Sequence, residues 1–188
     1  TILFGGFGAA AAAAKLMGLD ARGLQMAWGH VLSLSGGSMQ FSDEESATDV
    51  KRLHAGYAAR NGVIAAQMAA RGISAPLRSL DGKYGFLALY GDTPSRWDVL
   101  AQAGCEAAIH QVSIKPYSCC RFFHCIIDCI VALQEQGAFE RDAVSGIVVR
   151  SFAAIGEQHM LRRPASSMAA QYSLPYSVGA TLAYGCLL

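Results

Sequence analysis

Charge is what this chain has least of. Only 15% of its 188 residues are Asp, Glu, Lys or Arg, and 15 basic residues nearly cancel 14 acidic ones to leave a formal net charge of +1. That balance removes the electrostatic case for nucleic acid or an acidic membrane surface, both of which need a clustered excess of one sign. Long apolar runs are missing too. The longest near the start, residues 7–14, falls short of the ~20 residues that a membrane-spanning helix needs, and no basic stretch precedes it as in a secretory leader. A cytoplasmic protein is the default expectation. Paired C-x2-C knuckles are absent: the cysteines stand at 105, 119, 120, 125, 129 and 186, and C-C-x4-C-x3-C is not a zinc-finger or zinc-ribbon spacing. Free buried thiols acting as small hydrophobes are the better reading, with a soft-metal or redox cluster as the lesser one. A secreted disulfide scaffold does not suit so apolar a chain. No internal repeat, heptad or low-complexity linker interrupts the sequence. It begins at Thr1 rather than Met, so a processed product or a fragment is expected.

What is there is hydrophobic, at 53% of residues, and much of it reads as helix. An alanine run leads to Lys15-Leu16-Met17 and stops at Gly18; alanine has the highest helix propensity, and glycine is the usual stop. Asp20 caps a second helix over 21–33, with Leu24, Ala27, Trp28, Val31 and Leu32 on a helical period. After Gly36-Gly37-Ser38 and an acidic loop over 42–49 comes a long alanine-rich helix over 51–71, ended by Gly72. Past Pro76 the pattern changes. Residues 84–90, 108–113 and 144–152 read as short strands, residues 122–136 as a helix stopped by Gly137, and 175–184 as a last helix. The expected class is α+β: an all-α part over 1–78, a smaller α+β domain over 79–165, and a return to the helices over 166–188.

Two stretches carry chemistry. Residues 114–128 read I-K-P-Y-S-C-C-R-F-F-H-C-I-I-D, placing Lys115, Arg121 and His124 close together with no acidic residue before Asp128. Ionisable groups in an apolar setting are costly unless paired, and such settings tune groups for proton transfer. Pro116 forces an extended turn after Lys115, and Arg121 and His124, three apart, can share a helix face. Two cations and a histidine on one cavity suit a di- or tricarboxylate. Removing a proton α to a carboxylate leaves an enediolate-like charge that fixed cations stabilise. The competing reading is a lysine and an arginine hydrating a domain edge. The second stretch is Lys51-Arg52-Leu53-His54, at a helix start where cations oppose the macrodipole. That placement points to an anionic ligand or to a solvated helix end.

Other features have plainer explanations. Gly6-Phe7-Gly8-Ala9-Ala10-Ala11 matches G-x-G-x-x-A but lacks the βαβ context and the acidic residue of a dinucleotide site. His30, His110 and His159 read as surface or satisfied core histidines. Ser173 is a helix cap before Pro175, with no Ser–His–Asp arrangement.

Three blocks in order, K-R-L-H-A-G-Y-A-A-R-N-G-V-I-A-A-Q-M-A-A-R-G, K-P-Y-S-C-C-R-F-F-H-C-I-I-D and Q-Y-S-L-P-Y-S-V-G-A-T-L-A-Y-G, resemble the MmgE/PrpD family. That family includes 2-methylcitrate dehydratase, cis-aconitate decarboxylase and iminodisuccinate epimerase. The leading F-G-G-F-G-A-A-A-A-A-A-K-L-M-G-L-D fits its helical region, so the resemblance covers essentially the whole chain. It implies a large all-α domain with a smaller α+β domain, a homodimer, and an active site between domains that uses neither metal nor organic cofactor. Lys51 and Lys115 fall on the family's lysines, His54 and His124 on histidines of the same motifs, and Arg121 on the bacterial pattern. The resemblance thus implies Lys51, Lys115 and His124 as catalytic residues, and Arg121, His54 and Arg52 as substrate-binding ones. It also implies a protein more than twice this length, with an upstream helical stretch supplying an acidic residue and a histidine. A central-to-C-terminal fragment, or a truncated product, is therefore expected.

The activity expected is a cofactor-independent lyase of the 2-methylcitrate dehydratase kind, acting on a small polycarboxylate by α-proton abstraction. The alternatives are an epimerase of the same family, which needs only proton removal and return, and an inactive carboxylate-binding or dimerisation module.

Overall fold

The computed structural model describes residues 2–42, 49–91 and 108–185. Their backbone divides into two compact units, Thr1–Ser38 with Val50–His110 and Met39–Asp49 with Gln111–Leu188.

The first unit is built on three helices, α1 (Ile2–Leu16), α2 (Ala21–Leu34) and α3 (Val50–Ala70), with a short α4 (Phe86–Tyr90). Asp20 caps α2 by accepting from the Gly23 N–H at 2.7 Å, and the stops at Gly18 and Gly72 take φ of 71° and 75°. The core is almost entirely alanine: Ala10, Ala13, Ala14, Ala27, Ala65, Ala66 and Ala69 around Val31. Such small side chains bring backbones together. A Cβ added at Gly62 would lie 2.5 Å from the Ala9 Cβ and 2.7 Å from the Gly6 carbonyl oxygen, so α3 meets α1 backbone to backbone. Long-range polar bonds hold the ends: Trp28 Nε1 donates to the Phe7 carbonyl at 3.1 Å, and His30 Nε2 lies 3.0 Å from the Ile73 carbonyl. The G-x-G-x-x-A match lies inside α1, which removes the strand–turn–helix geometry a dinucleotide site requires.

The second unit runs through a 3-10 turn (Arg121–Phe123) into α5 (His124–Glu135), then α6 (Ala153–Gln158), α7 (Ser167–Gln171) and α8 (Leu174–Tyr184). Phe123, Ile127 and Ile130 pack with Ile155, Leu174 and Val178. Fully burying a side chain of this size contributes about 1.5–3 kcal/mol. Gly137 stops α5 with φ of 62°. Ser173 caps α8 by accepting from the Tyr176 N–H at 3.0 Å, and its own hydroxyl donates to the Leu161 carbonyl.

The expected α+β class is wrong: among the described residues there is no strand and no sheet. Residues 84–90 become turns and then α4. Phe86 docks edge-on against Phe4 and Phe7, with centroids 5.3 and 5.1 Å away, and pairs with Tyr90 one helical turn on at 5.0 Å. An apolar spacing of four fits a helix as well as a strand, and the aromatic socket decides it. Residues 108–111 form a 3-10 turn with Ile109 70% exposed, so no apolar face is buried there to favour a strand. Residues 144–152 carry no regular structure. A strand exists only by pairing, and residues 145–151 have no backbone partner among the described residues. The acidic loop falls mostly on 43–48, outside the described residues.

Candidate functional site

The second unit draws the motif of residues 115–128 into one neighbourhood. After Lys115 the chain turns tightly, and the Lys115 ammonium closes that turn by donating to the Cys119 carbonyl at 3.3 Å. The Cys120 N–H donates to the Gln171 carbonyl at 2.8 Å, tying the turn to the end of α7. Arg121 projects from the 3-10 turn, exposed, its guanidinium without a hydrogen-bond or ion-pair partner among the described residues. His124, the first residue of α5, is fully buried, and neither ring nitrogen meets a hydrogen-bond partner among the described residues. A buried unsatisfied imidazole is costly and needs an explanation.

Burial lowers the proton affinity of His124, and the Arg121 and Lys115 charges lower it further. The Cys119 backbone, short of hydrogen-bond geometry, and the Asp128 carboxylate pull the other way and lose. Both cations therefore act on one neutral imidazole. The Tyr117 ring covers that imidazole edge-on at 5.0 Å, and its hydroxyl donates to Asp128 Oδ1 at 2.5 Å. Tyr117, Ser118 and Cys119 form one wall of a cleft of about 290 Å3, faced by Gln171, Ser177 and Thr181. Burial pushes the Cys119 thiol up, the neighbouring Cys120 adding to it, so it stays protonated near neutrality.

Lys51, Arg52 and His54 lie in the first turns of α3, in the first unit. Lys51 is half-buried, Arg52 exposed and His54 buried. Burial lowers the proton affinity of His54, and the Lys51 ammonium lowers it again. The six residues read from sequence thus form two sets of the same composition, a neutral buried histidine beside cations, one set in each unit.

The sequence missed Tyr117 as the cover over His124, and the hydroxyl wall of the cleft. Nothing local marked them: Tyr117 lies in the turn before the helix that carries Asp128, and Ser177 and Thr181 come from α8. The four described cysteines split. Cys119 and Cys120 are half-buried, whereas Cys125 and Cys129 are exposed on α5, so the buried-thiol reading fails for the latter pair. Among the described residues no three potential metal ligands converge. The histidines set aside as plain behave so. His159 packs against Phe123 at 5.3 Å with Nδ1 3.1 Å from the Tyr172 carbonyl, and His110 is exposed.

No helix among the described residues is long and apolar enough to cross a membrane. A search of curated proteins found no match. The MmgE/PrpD N-terminal domain model matches residues 1–97, and the MmgE/PrpD C-terminal domain model matches residues 117–188. The first match takes in Lys51, Arg52 and His54, and the second Arg121 and His124, with Lys115 two residues before its start. The chain belongs to the MmgE/PrpD family, a family of dehydratase and lyase type.

Proposed function

We propose that the chain carries the carboxylate-binding and proton-transfer residues of a cofactor-independent carbon–oxygen lyase, cytoplasmic and homodimeric, that acts on a small di- or tricarboxylate of the 2-methylcitrate kind. The observation that carries this reading is the joint action of Lys115 and Arg121 on the buried, neutral His124. Fixed cations beside an imidazole kept unprotonated provide anion binding and a proton acceptor together. Arg121 offers the planar fork that matches a carboxylate, and Lys115 a point charge for the enediolate-like oxygen that develops when the α-proton leaves. His54 with Lys51 repeats the pairing in the first unit, with Arg52 as a further carboxylate contact. Dehydration needs proton removal and departure of a hydroxyl, so two acid–base groups serve it better than one. Epimerisation shares the first step, and the two differ in what leaves.

Turnover of methylcitrate, cis-aconitate and iminodisuccinate, measured for the chain and for its Lys115→Ala variant, tests the proposal. Conversion of a hydroxylated tricarboxylate that the variant loses is the expected result. Epimerisation alone would favour the isomerase alternative. Carboxylate binding without turnover would leave only the binding module, and unchanged kcat/KM in the variant would remove Lys115 from the chemistry.

A further inference from the structure

His124 cannot act where it stands. Its side chain is fully buried, and both ring nitrogens lie without a partner among the described residues. A proton acceptor must come within hydrogen-bond reach of the proton it takes, and a buried imidazole with neither nitrogen satisfied is costly. Either the ring comes out or its cover moves. The ring is the fixed part. His124 opens α5 directly after Phe123, and Phe123 and Ile127 are both seated in the core that Ile155, Leu174 and Val178 complete. Bringing His124 to the surface would turn that first helical turn and unseat both of them.

The cover is built differently. Tyr117 belongs to the turn before the helix and is half-buried, so part of its ring already meets solvent. Its backbone is pinned: the Cys119 N–H donates to the Tyr117 carbonyl at 2.9 Å, and the Lys115 ammonium closes the same turn on the Cys119 carbonyl. The side chain is tied down across α5 by its hydroxyl, which donates to Asp128 Oδ1 at 2.5 Å. Asp128 stands one helical turn after His124, so the bond draws the ring over the imidazole, centroids 5.0 Å apart. A hydroxyl donating to a carboxylate is one of the stronger hydrogen bonds. Beside the ring lies the cleft of about 290 Å3 that Tyr117 itself walls, which gives a rotated ring room to move. The two positions oppose each other energetically. Closed, Tyr117 keeps its bond to Asp128 while two imidazole nitrogens go unsatisfied. Open, that bond is lost, and the nitrogens and the carboxylate reach water or substrate. Terms of one or two hydrogen bonds nearly cancel, and that balance lets a ligand shift the population.

We propose that Tyr117 is a gate over His124, latched shut by its hydroxyl on Asp128, and that a carboxylate substrate reaches the imidazole when the ring swings aside. This rests on the reading of His124 as the proton acceptor. Tyr117 is then a positioning residue: it touches the histidine rather than the reacting atoms and decides when that histidine is accessible. Arg121, exposed three residues before His124, holds the carboxylate at the opening.

Diethyl pyrocarbonate, which acylates unprotonated imidazole, measures the opening in the intact chain without any turnover. Modification of each histidine is followed by peptide mass spectrometry. Exposed His110 is the fast reference, and buried His159, in the same unit as His124, is the control for general loosening. In the unaltered chain His124 is expected to react at least tenfold more slowly than His110. Tyr117→Phe, which keeps the ring and removes the latch, should raise the His124 rate at least threefold. Tyr117→Ala, which removes the cover, should raise it at least tenfold, and His159 should be unchanged in both. His124 as fast as His110 in the unaltered chain, no rise in either variant, a rise in the alanine variant alone, or an equal rise at His159 overturns the proposal. Acylation needs no substrate, so a chain that converts no polycarboxylate leaves this result standing, and a failed gate leaves the lyase reading to its own assay.

Discussion

In the first unit the hydrophobic core cluster is alanine around Val31, close approach of backbones does the packing, and His30, His54 and Ser79 are its buried polar groups. In the second, Phe123 and five aliphatic side chains, three Ile, one Leu and one Val, meet buried polar groups: His124, His159, Ser173, Ser177 and Thr181. The first arrangement leaves little room for a larger side chain where α3 meets α1. The second trades some of that economy for groups that can hold or move a proton. Both units place a histidine of lowered proton affinity beside a cation, and in the second neither ring nitrogen of that histidine meets a hydrogen-bond partner among the described residues.

The comparison breaks most sharply under truncation. Phe123→Ala should cost about 3–5 kcal/mol through lost burial and a residual cavity, with the loss confined to the second unit; denaturant unfolding followed by amide exchange in each unit checks it. Gly62→Ala tests the opposite vulnerability. Alanine gains about 1 kcal/mol of helix propensity over glycine, yet its Cβ would lie 2.6 Å from the Ala10 amide nitrogen. Overpacking of about 1–3 kcal/mol, the usual range, should exceed that gain, lowering the thermal midpoint of the first unit alone. Asp20→Ala removes the cap bond to the Gly23 N–H and should cost about 1 kcal/mol in the same unit, read as a shift in urea midpoint.

The smallest effect near neutrality is acid sensitivity. His124 and His159 in the second unit and His54 in the first are held below the ordinary value of 6.5, chiefly by burial. Above pH 6.5 folded and unfolded chains both keep these rings neutral, so the stability is whole. As pH falls through 6.5 the unfolded chain takes up protons that the fold refuses, and stability is lost down to the folded pKa values. With two such rings against one, the second unit should lose stability first. Urea midpoints of both units, measured above and below pH 6.5, check the order; an equal response would contradict it.

Helices were legible where propensity, period and punctuation agree. The Asp20 cap and the stops at Gly18, Gly72 and Gly137 fall where the residues put them. Strands were not legible, because β-type residues state only a preference and the ladder needs a partner the local sequence does not name. Residues 84–90 went to a helix because Phe4 and Phe7, far away in sequence, form the socket for Phe86. Of the candidate site, the charged residues were proposed from their places in two short motifs. The burial of His124 and its cover by Tyr117 were not, since both follow from how α5 packs.

Binding of methylcitrate by isothermal calorimetry, for the chain and for its Arg121→Ala and Lys115→Ala variants, bears most directly on the central claim. The account predicts saturable binding that each variant weakens at least tenfold while the fold, followed by circular dichroism, is unchanged. Equal affinity in all three would contradict it, because a carboxylate indifferent to both cations is not held by this site.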